Sequence, residues 1–385
     1  MNRLQFVVLL TLVSSGSAHA YGFMLRHDYT SCASCHVDPS GGSVVTPYGR
    51  AQGELLLRSR YGAPADEDPG KKAEFLLGLL AAAPEELMLG GDVRLAVLSP
   101  GMKGVRVFPM QIDVVGALKT GKMSASVSLG LGSAVTSAAK IVGEQVQLIS
   151  RHHWVGYAPD EDQAFLLRVG RIPLPFGLRL PEHTIWARAV TKTDTNVSQQ
   201  HGVSLAYSGE RVRGELMGIV GNLQLSPAAY RERGYSGFLE FIPNHWMTVG
   251  VSSLVTHADS DLSTPQFSTF RHAHGAFLRA SPWKPLVISV EADLTNQTRR
   301  TLGGPTGFVG VVQADIEPTQ GFHLVAMGEV LVTDFSKPDG VGFGGWGGVW
   351  WFFAPHSDVR LDVITRRETD GTLNVSLLGQ VHVFL

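Results

Sequence analysis

From about residue 85 to its end the chain alternates apolar and polar positions with a period of two. In "KMSASVSLGLG" Met123, Ala125, Val127, Leu129 and Leu131 fall on one side, with Ser124, Ser126, Ser128 and Gly130 on the other. Successive side chains of a strand point to opposite faces, so one face here is apolar and the other small and polar. Lipid outside and water or a filled lumen inside would suit that division. Similar segments are predicted at 87–97, 109–119, 122–132, 144–156, 164–172, 201–208, 211–220, 234–242, 246–256, 272–280, 284–294, 306–316, 321–333, 343–353, 357–367 and 373–385. That makes about sixteen strands, an even number, as bacterial single-chain outer-membrane barrels have.

The connections support a barrel over a soluble all-β protein. "KTGK", "PDEDQ", "SGE", "PNH", "SPWK", "EPTQ" and "APHS" are short and fall at every second connection. The others are mostly longer, at 133–143, 173–200, 221–233, 257–271, 295–305 and 334–342, with "RETDGT" the short exception. Short periplasmic turns and long outer loops alternate in this way in outer-membrane barrels. Trp154, Tyr157, Trp246, Trp283, Trp350 and Trp351 lie near predicted strand ends, where interfacial girdles sit. The last strand ends in Phe384-Leu385, close to the terminal aromatic of many such proteins. The expected fold is therefore all-β: an antiparallel barrel over residues 85–385 in outer-membrane lipid, with both termini periplasmic.

Composition narrows the functions. Among 385 residues there are 44 glycines, 17% charged residues and a formal charge of -2. No basic block suggests nucleic acid, and no Gly-rich loop leads into a helix to cradle phosphate. The N-terminus has the marks of a secretory leader: Arg3, an apolar run from Phe6 to Val13, and Ala18-His19-Ala20 as a cleavage pattern. The run is too short for a spanning helix, which needs roughly 20 apolar residues. Residues 1–20 are therefore expected to be removed, with export to a Gram-negative outer membrane.

The only two cysteines stand in "SCASCH" (31–36). Cys32, Cys35 and His36 form the C-x-x-C-H pattern of covalent haem attachment. Two thiols at this spacing can bond both vinyl groups of one haem, and the adjacent imidazole can reach the iron as proximal ligand. A labile disulfide or a chance pair are the plainer readings; a zinc site would need two more ligands nearby. One covalently attached haem c is the cofactor expected. For the distal side of the iron, Met24 and His27 lie just upstream, and His152, His153, His201, His272 and His274 could face the lumen from the barrel. An open sixth position is the remaining choice. Residues 21–62 are too few for a free-standing cytochrome core, and a barrel this wide leaves a channel unless plugged. The haem segment is therefore expected to plug or cap the lumen. Residues 63–84 read as a linker and a short helix.

With its leader, single C-x-x-C-H block, following Gly-Arg and roughly sixteen-stranded porin, the chain resembles the fused monohaem cytochrome–porins of the outer membrane. The matching residues are "SCASCH", Pro39 or Pro47, and "PYGRAQGELLLRSRYG" (47–62). The resemblance implies haem attachment at Cys32 and Cys35, iron ligation by His36, and packing near the haem by Gly49 and Arg50. Ala51 and Gln52 stand where the family usually has an aromatic residue and a lysine. "LLRVGRIPLPFGLR" (166–179) is also similar to strands of general porins. The best-known members of the family oxidise ferrous iron outside the cell. The implied function is an electron conduit between an extracellular donor such as Fe(II) and a periplasmic carrier such as a soluble cytochrome, and hence an Fe(II):cytochrome oxidoreductase. The alternatives are a diffusion porin whose haem segment is a plug or sensor, and outward transfer to an extracellular acceptor. Asp259, Asp261, Asp334 and Asp339 could draw a cation to the outer mouth.

Overall fold

The computed structural model describes residues 22–64, 68–79, 84, 86–133, 146–160, 164–182, 185–193, 198–222, 231–260, 267–337 and 339–384. The expected leader (1–20) and Asp261 lie outside them. The described residues form sixteen antiparallel strands, one of them interrupted. They are β1 Leu87–Ser99, β2 Arg106–Thr120, β3 Met123–Ser133, β4 Val146–Ile149 with His153–Tyr157, β5 Phe165–Ile172, β6 Gln200–Ser208, β7 Val212–Gly221 and β8 Arg233–Asn244. Then follow β9 Met247–Ala258, β10 Thr269–Trp283, β11 Leu286–Arg299, β12 Thr306–Thr319, β13 Phe322–Val332, β14 Val341–Ala354, β15 Ser357–Arg367 and β16 Leu373–Phe384. Each pairs with the next, and β16 returns to pair with β1 from Asp92↔Phe384 to Ser99↔Leu377. The sheet is therefore a closed barrel. No helix of the described residues is long and apolar enough to cross a membrane, which says nothing of strands.

The alternation seen in the sequence sets the two faces. Val127 and Leu216 are 52% and 61% exposed on the outside, whereas Ser128 and Ser204 are 1% and 0% exposed on the inside. Short connections, such as 121–122, 209–211 and 355–356, gather at one end of the barrel and longer ones at the other. Tyr157, Trp246, Trp283 and Trp351 point outward near the short-turn end. Trp154 and Trp350 do not join that belt: both are buried inside, Trp350 donating to Asp358 at 2.8 Å and Trp154 lying under the Arg168 guanidinium.

The predicted strand 144–156 is broken at 150–152 for a visible reason. The Ser128 hydroxyl accepts from the N–H groups of both Arg151 and His152, at 2.9 and 3.0 Å, in place of ladder bonds. Arg151 then turns inward to Asp113 at 2.7 Å.

Two segments enter the lumen, and a polar space lined by Asp113, His152 and Arg179 remains beside them. Residues 22–62 occupy the short-turn half of the lumen. There Phe23, Met24 and Leu57 pack with Val287, Trp350 and Phe352, and Arg26 pairs with Asp315 and Glu317. The second is residues 173–193, predicted as an outer connection. It folds inward from the long-loop end, burying Leu178, Leu180, Ile185 and Trp186 against Phe277, Val311, Met327 and Trp346. Between residues 63 and 84 the described part holds only short 3-10 turns, Gly70–Ala73 and Phe75–Gly78, rather than the expected helix. Positive φ at Leu76 and Leu77 prevents a continuous one.

Candidate functional site

The C-x-x-C-H residues form one tight turn. Cys32–Ser34 make a 3-10 turn, and the N–H groups of Cys35 and His36 both donate to the Cys32 carbonyl, at 3.2 and 3.0 Å. The turn brings the two cysteines close together, near enough for each to bear on the other electrostatically. They form no disulfide. A hairpin-like return follows, with His36 bridging Val45 and the Asp38 carboxylate capping the N–H of Ser40 at 2.8 Å.

The short helix α1, Pro47–Gln52, then packs onto the turn. Thr46 caps it, accepting from Gly49 at 3.1 Å, and Pro47 occupies the first helical position, where its missing N–H costs nothing. Gly49 is required by contact: a Cβ there would lie 2.5 Å from the Cys35 carbonyl oxygen and 2.8 Å from its Cα. The Gly-Arg pair thus touches the C-x-x-C-H turn directly through its glycine. Arg50 reaches the Leu89 carbonyl on β1 and stacks on Phe75.

Two buried polar contacts fix this unit in the lumen. Asp38 pairs with Arg168 of β5 at 2.6 Å, and Ser43 shares a 2.6 Å hydrogen bond with Ser126 of β3. Arg168 also holds Glu215 of β7. Burial disfavours the Asp38 carboxylate, yet the Arg168 guanidinium holds it below its usual range.

Cys35, His36 and Met24 face one cavity, walled on the barrel side by Phe352, His356 and Phe384. It holds about 730 Å³ of space free of protein atoms, part of it open to solvent. Cys32 lines an adjoining cavity against Gly177, Arg179 and Arg213. Burial lowers the pKa of His36, which favours the neutral imidazole that a metal requires, and its Nδ1 makes no well-formed hydrogen bond. Burial, with the neighbouring Cys32, pushes the Cys35 thiol up to about 12. That is the opposite of the lowered value that makes C-x-x-C redox pairs reactive. Neutral buried imidazole, paired thiols on one turn and an apolar wall suit covalent haem better than a dithiol couple or a zinc fragment.

The other candidates separate clearly. Met24 is buried in the cavity wall, whereas His27 points away from it to Glu317 at 3.6 Å. Of the five barrel histidines named from the sequence only His152 is inside, hydrogen-bonded to Ser126 at 3.0 Å. His153, His201, His272 and His274 lie on the outer face, because Trp154, Gly202, Arg271 and Ala273 take the neighbouring inward positions. His153 and His201 meet there, ring to ring, at 3.0 Å. At the long-loop end Asp259 and Asp339 are exposed, while Asp334 is engaged by Ser336 at 2.6 Å and Lys337 at 3.6 Å. His356 escaped sequence reasoning. Its signal was a histidine after proline in a two-residue turn, where glycine or asparagine is usual.

No family model and no curated protein matches the chain. Solved structures do. A loop-deletion form of OmpT, an outer membrane protein of Vibrio cholerae, aligns with a TM-score of 0.63 at 9% identity, over 78% of this chain and 99% of that one. An anion-selective porin from Comamonas acidovorans aligns at 0.57 and 10% identity, over 78% and 99%. The outer membrane channel DcaP of Acinetobacter baumannii aligns at 0.53 and 12% identity, over 78% and 97%. The chain has the fold of outer-membrane porins.

Proposed function

We propose that residues 22–62 carry one covalent haem c inside the barrel, and that the protein conducts electrons across a Gram-negative outer membrane with its short-turn end in the periplasm. The observation that carries the reading is the seat of the attachment turn. Cys35 and His36 open onto an apolar-walled cavity in the part of the lumen that the first insert enters. A haem held there would supply one-electron redox chemistry between an external donor such as Fe(II), which would leave as Fe(III), and a one-electron carrier such as a periplasmic cytochrome.

The chain's own residues do the rest. Cys32 and Cys35 would anchor the group and the neutral imidazole of His36 would ligate its iron, while Gly49 lets α1 close over the turn. The Asp38–Arg168 pair and the cluster around Phe23 set the depth of the segment. A hydrocarbon layer roughly 25–30 Å thick is too wide for one useful tunnelling step, and a redox centre held within the wall divides it. The resemblance to iron-oxidising cytochrome–porins supports the same reading.

The porin fold of the structural neighbours favours a second reading, a diffusion porin in which the segment is only a plug. Proteoliposomes decide between them. External Fe(II) should reduce an encapsulated ferric cytochrome while sugars stay outside; solute leakage without cytochrome reduction would replace the conduit with the porin. Reduced carrier inside and acceptor outside tests the outward direction. Replacing both Cys32 and Cys35 by Ala should abolish covalent haem and electron transfer while the barrel still inserts.

A further inference from the structure

Two histidines from distant parts of the chain face the same cavity. His36 belongs to the N-terminal insert, and His356 to the connection between β14 and β15. The His356 ring is buried, and its Nε2 donates to the Lys72 carbonyl at 2.6 Å. Its Nδ1 is buried too and makes no well-formed hydrogen bond, although the Phe384 backbone lies beside the ring; Nδ1 of His36 is likewise without a well-formed bond, beside the Gly42 and Ser43 backbone. A buried polar atom left unmet is destabilising and calls for an occupant. With Nε2–H fixed on a carbonyl, Nδ1 is the lone-pair nitrogen. Metal-ligating histidines are commonly held this way, their second nitrogen bound to a backbone oxygen.

The backbone adds a second observation. His356 takes a φ of 54°, directly after Pro355, in a region that glycine or asparagine occupies with less strain. Its stacking on Phe384, 5.7 Å between centroids, would serve a phenyl ring equally well, and the bond to the Lys72 carbonyl uses only one of the two ring nitrogens. Nor do the pieces suit a bare ion. Among the described residues no three His, Cys, Asp or Glu side chains converge to hold one. The two imidazoles instead suit a broad group that spans the cavity with a metal at its centre.

We propose that His356 is the second axial ligand of the haem iron, which would then be held between His36 on the insert and His356 on the barrel wall. This rests on the reading of Cys32, Cys35 and His36 as the attachment site. Met24 lines the same cavity, but its thioether requires no hydrogen bond, and burial among Phe23, Leu57 and Phe352 accounts for it. Iron coordination would also clamp insert to wall across the cavity.

The full-length holoprotein and the variants His356→Ala, His356→Met and Met24→Leu test this through ferric haem spectra and potentiometric titration. The native protein should be low-spin with two imidazoles. His356→Ala should become high-spin and regain the low-spin spectrum when imidazole is added, a rescue that a misfolded variant would not show. His356→Met should show the methionine–iron charge-transfer band and a raised potential, as methionine ligation brings, and Met24→Leu should match the native protein. A native spectrum in His356→Ala, or a ligand loss in Met24→Leu instead, would overturn the assignment while leaving the attachment reading intact. Native protein without covalent haem in a pyridine haemochrome assay would overturn the attachment reading and this assignment together.

Discussion

The two inserts share one lumen but are held by different means. The second, residues 173–193, is tied through its own backbone to carboxylates of the wall. The N–H of Leu178 donates to Glu291 at 2.8 Å and that of Trp186 to Glu329 at 2.6 Å. Arg188 adds a pair to Glu291, and Glu182 receives Arg360 at 2.6 Å. The first, residues 22–62, leans on an apolar cluster, two ion-paired anchors at Arg26 and Asp38, and its own internal turns. It also brings His36, whose Nδ1 makes no well-formed bond, to the cavity. One insert is thus held chiefly by its backbone on wall carboxylates, whereas the other is anchored around the cavity that His36 and Met24 line.

Removing the inserts one at a time gives the largest expected effect. Deletion of residues 22–62 should open the short-turn half and raise single-channel conductance sharply, since a barrel of this width otherwise leaves a channel. Deletion of 174–192 should change conductance far less while the first insert stays. Equal conductance in the two variants would erase the distinction between them.

Next in size is the buried Arg168. Arg168→Met strands Asp38 and Glu215 together, and breaking a buried pair this way costs about 3–5 kcal/mol. Urea unfolding and protease sensitivity of residues 22–62 would report it. Arg179, where the two inserts meet, is the informative control. Both its terminal nitrogens lack hydrogen-bond partners, so Arg179→Met should leave stability unchanged or higher. A loss as large as that of Arg168→Met would show that the unpaired guanidinium has a structural task.

Gly49→Ala comes third. Overpacking of this kind costs about 1–3 kcal/mol, and the Cβ would strike the Cys35 backbone. The expected result is impaired haem attachment with the barrel unaffected; normal haem content would remove Gly49 from the site. The smallest effect is that of pH. The Asp38 pKa is held below its ordinary 3.8, so the carboxylate stabilises docking above that value and the contribution fades as pH falls through the lower, folded one. Protease access to the first insert should therefore stay constant at neutral and mildly acid pH and rise only under strong acid. Release near neutrality would point to another group.

The barrel was legible because its signal is local. Met123 to Leu131 declare a lipid face and a lumen face within nine residues, and the rule of alternation needs no partner. The attachment motif is local in the same sense. The second insert was not legible, because what folds it inward is carried by distant residues. Glu291 and Glu329 read as ordinary inward polar positions until Leu178 and Trp186 reach them. The break in β4 depends likewise on one serine of β3, and the outward histidines on a register that sequence spacing leaves open by one residue. His356 shows the limit most plainly, since nothing near residue 356 in sequence connects it to residue 36.

The chamber around the attachment turn is walled by Met24 and His36 from the start of the chain and by Phe384 from its last strand. That strand is also the one whose pairing with β1 seals the barrel. With Phe384 in place the C-x-x-C-H turn is walled on the barrel side and is reached through the part of the cavity that stays open to solvent. The strand that closes the barrel therefore also shapes the chamber.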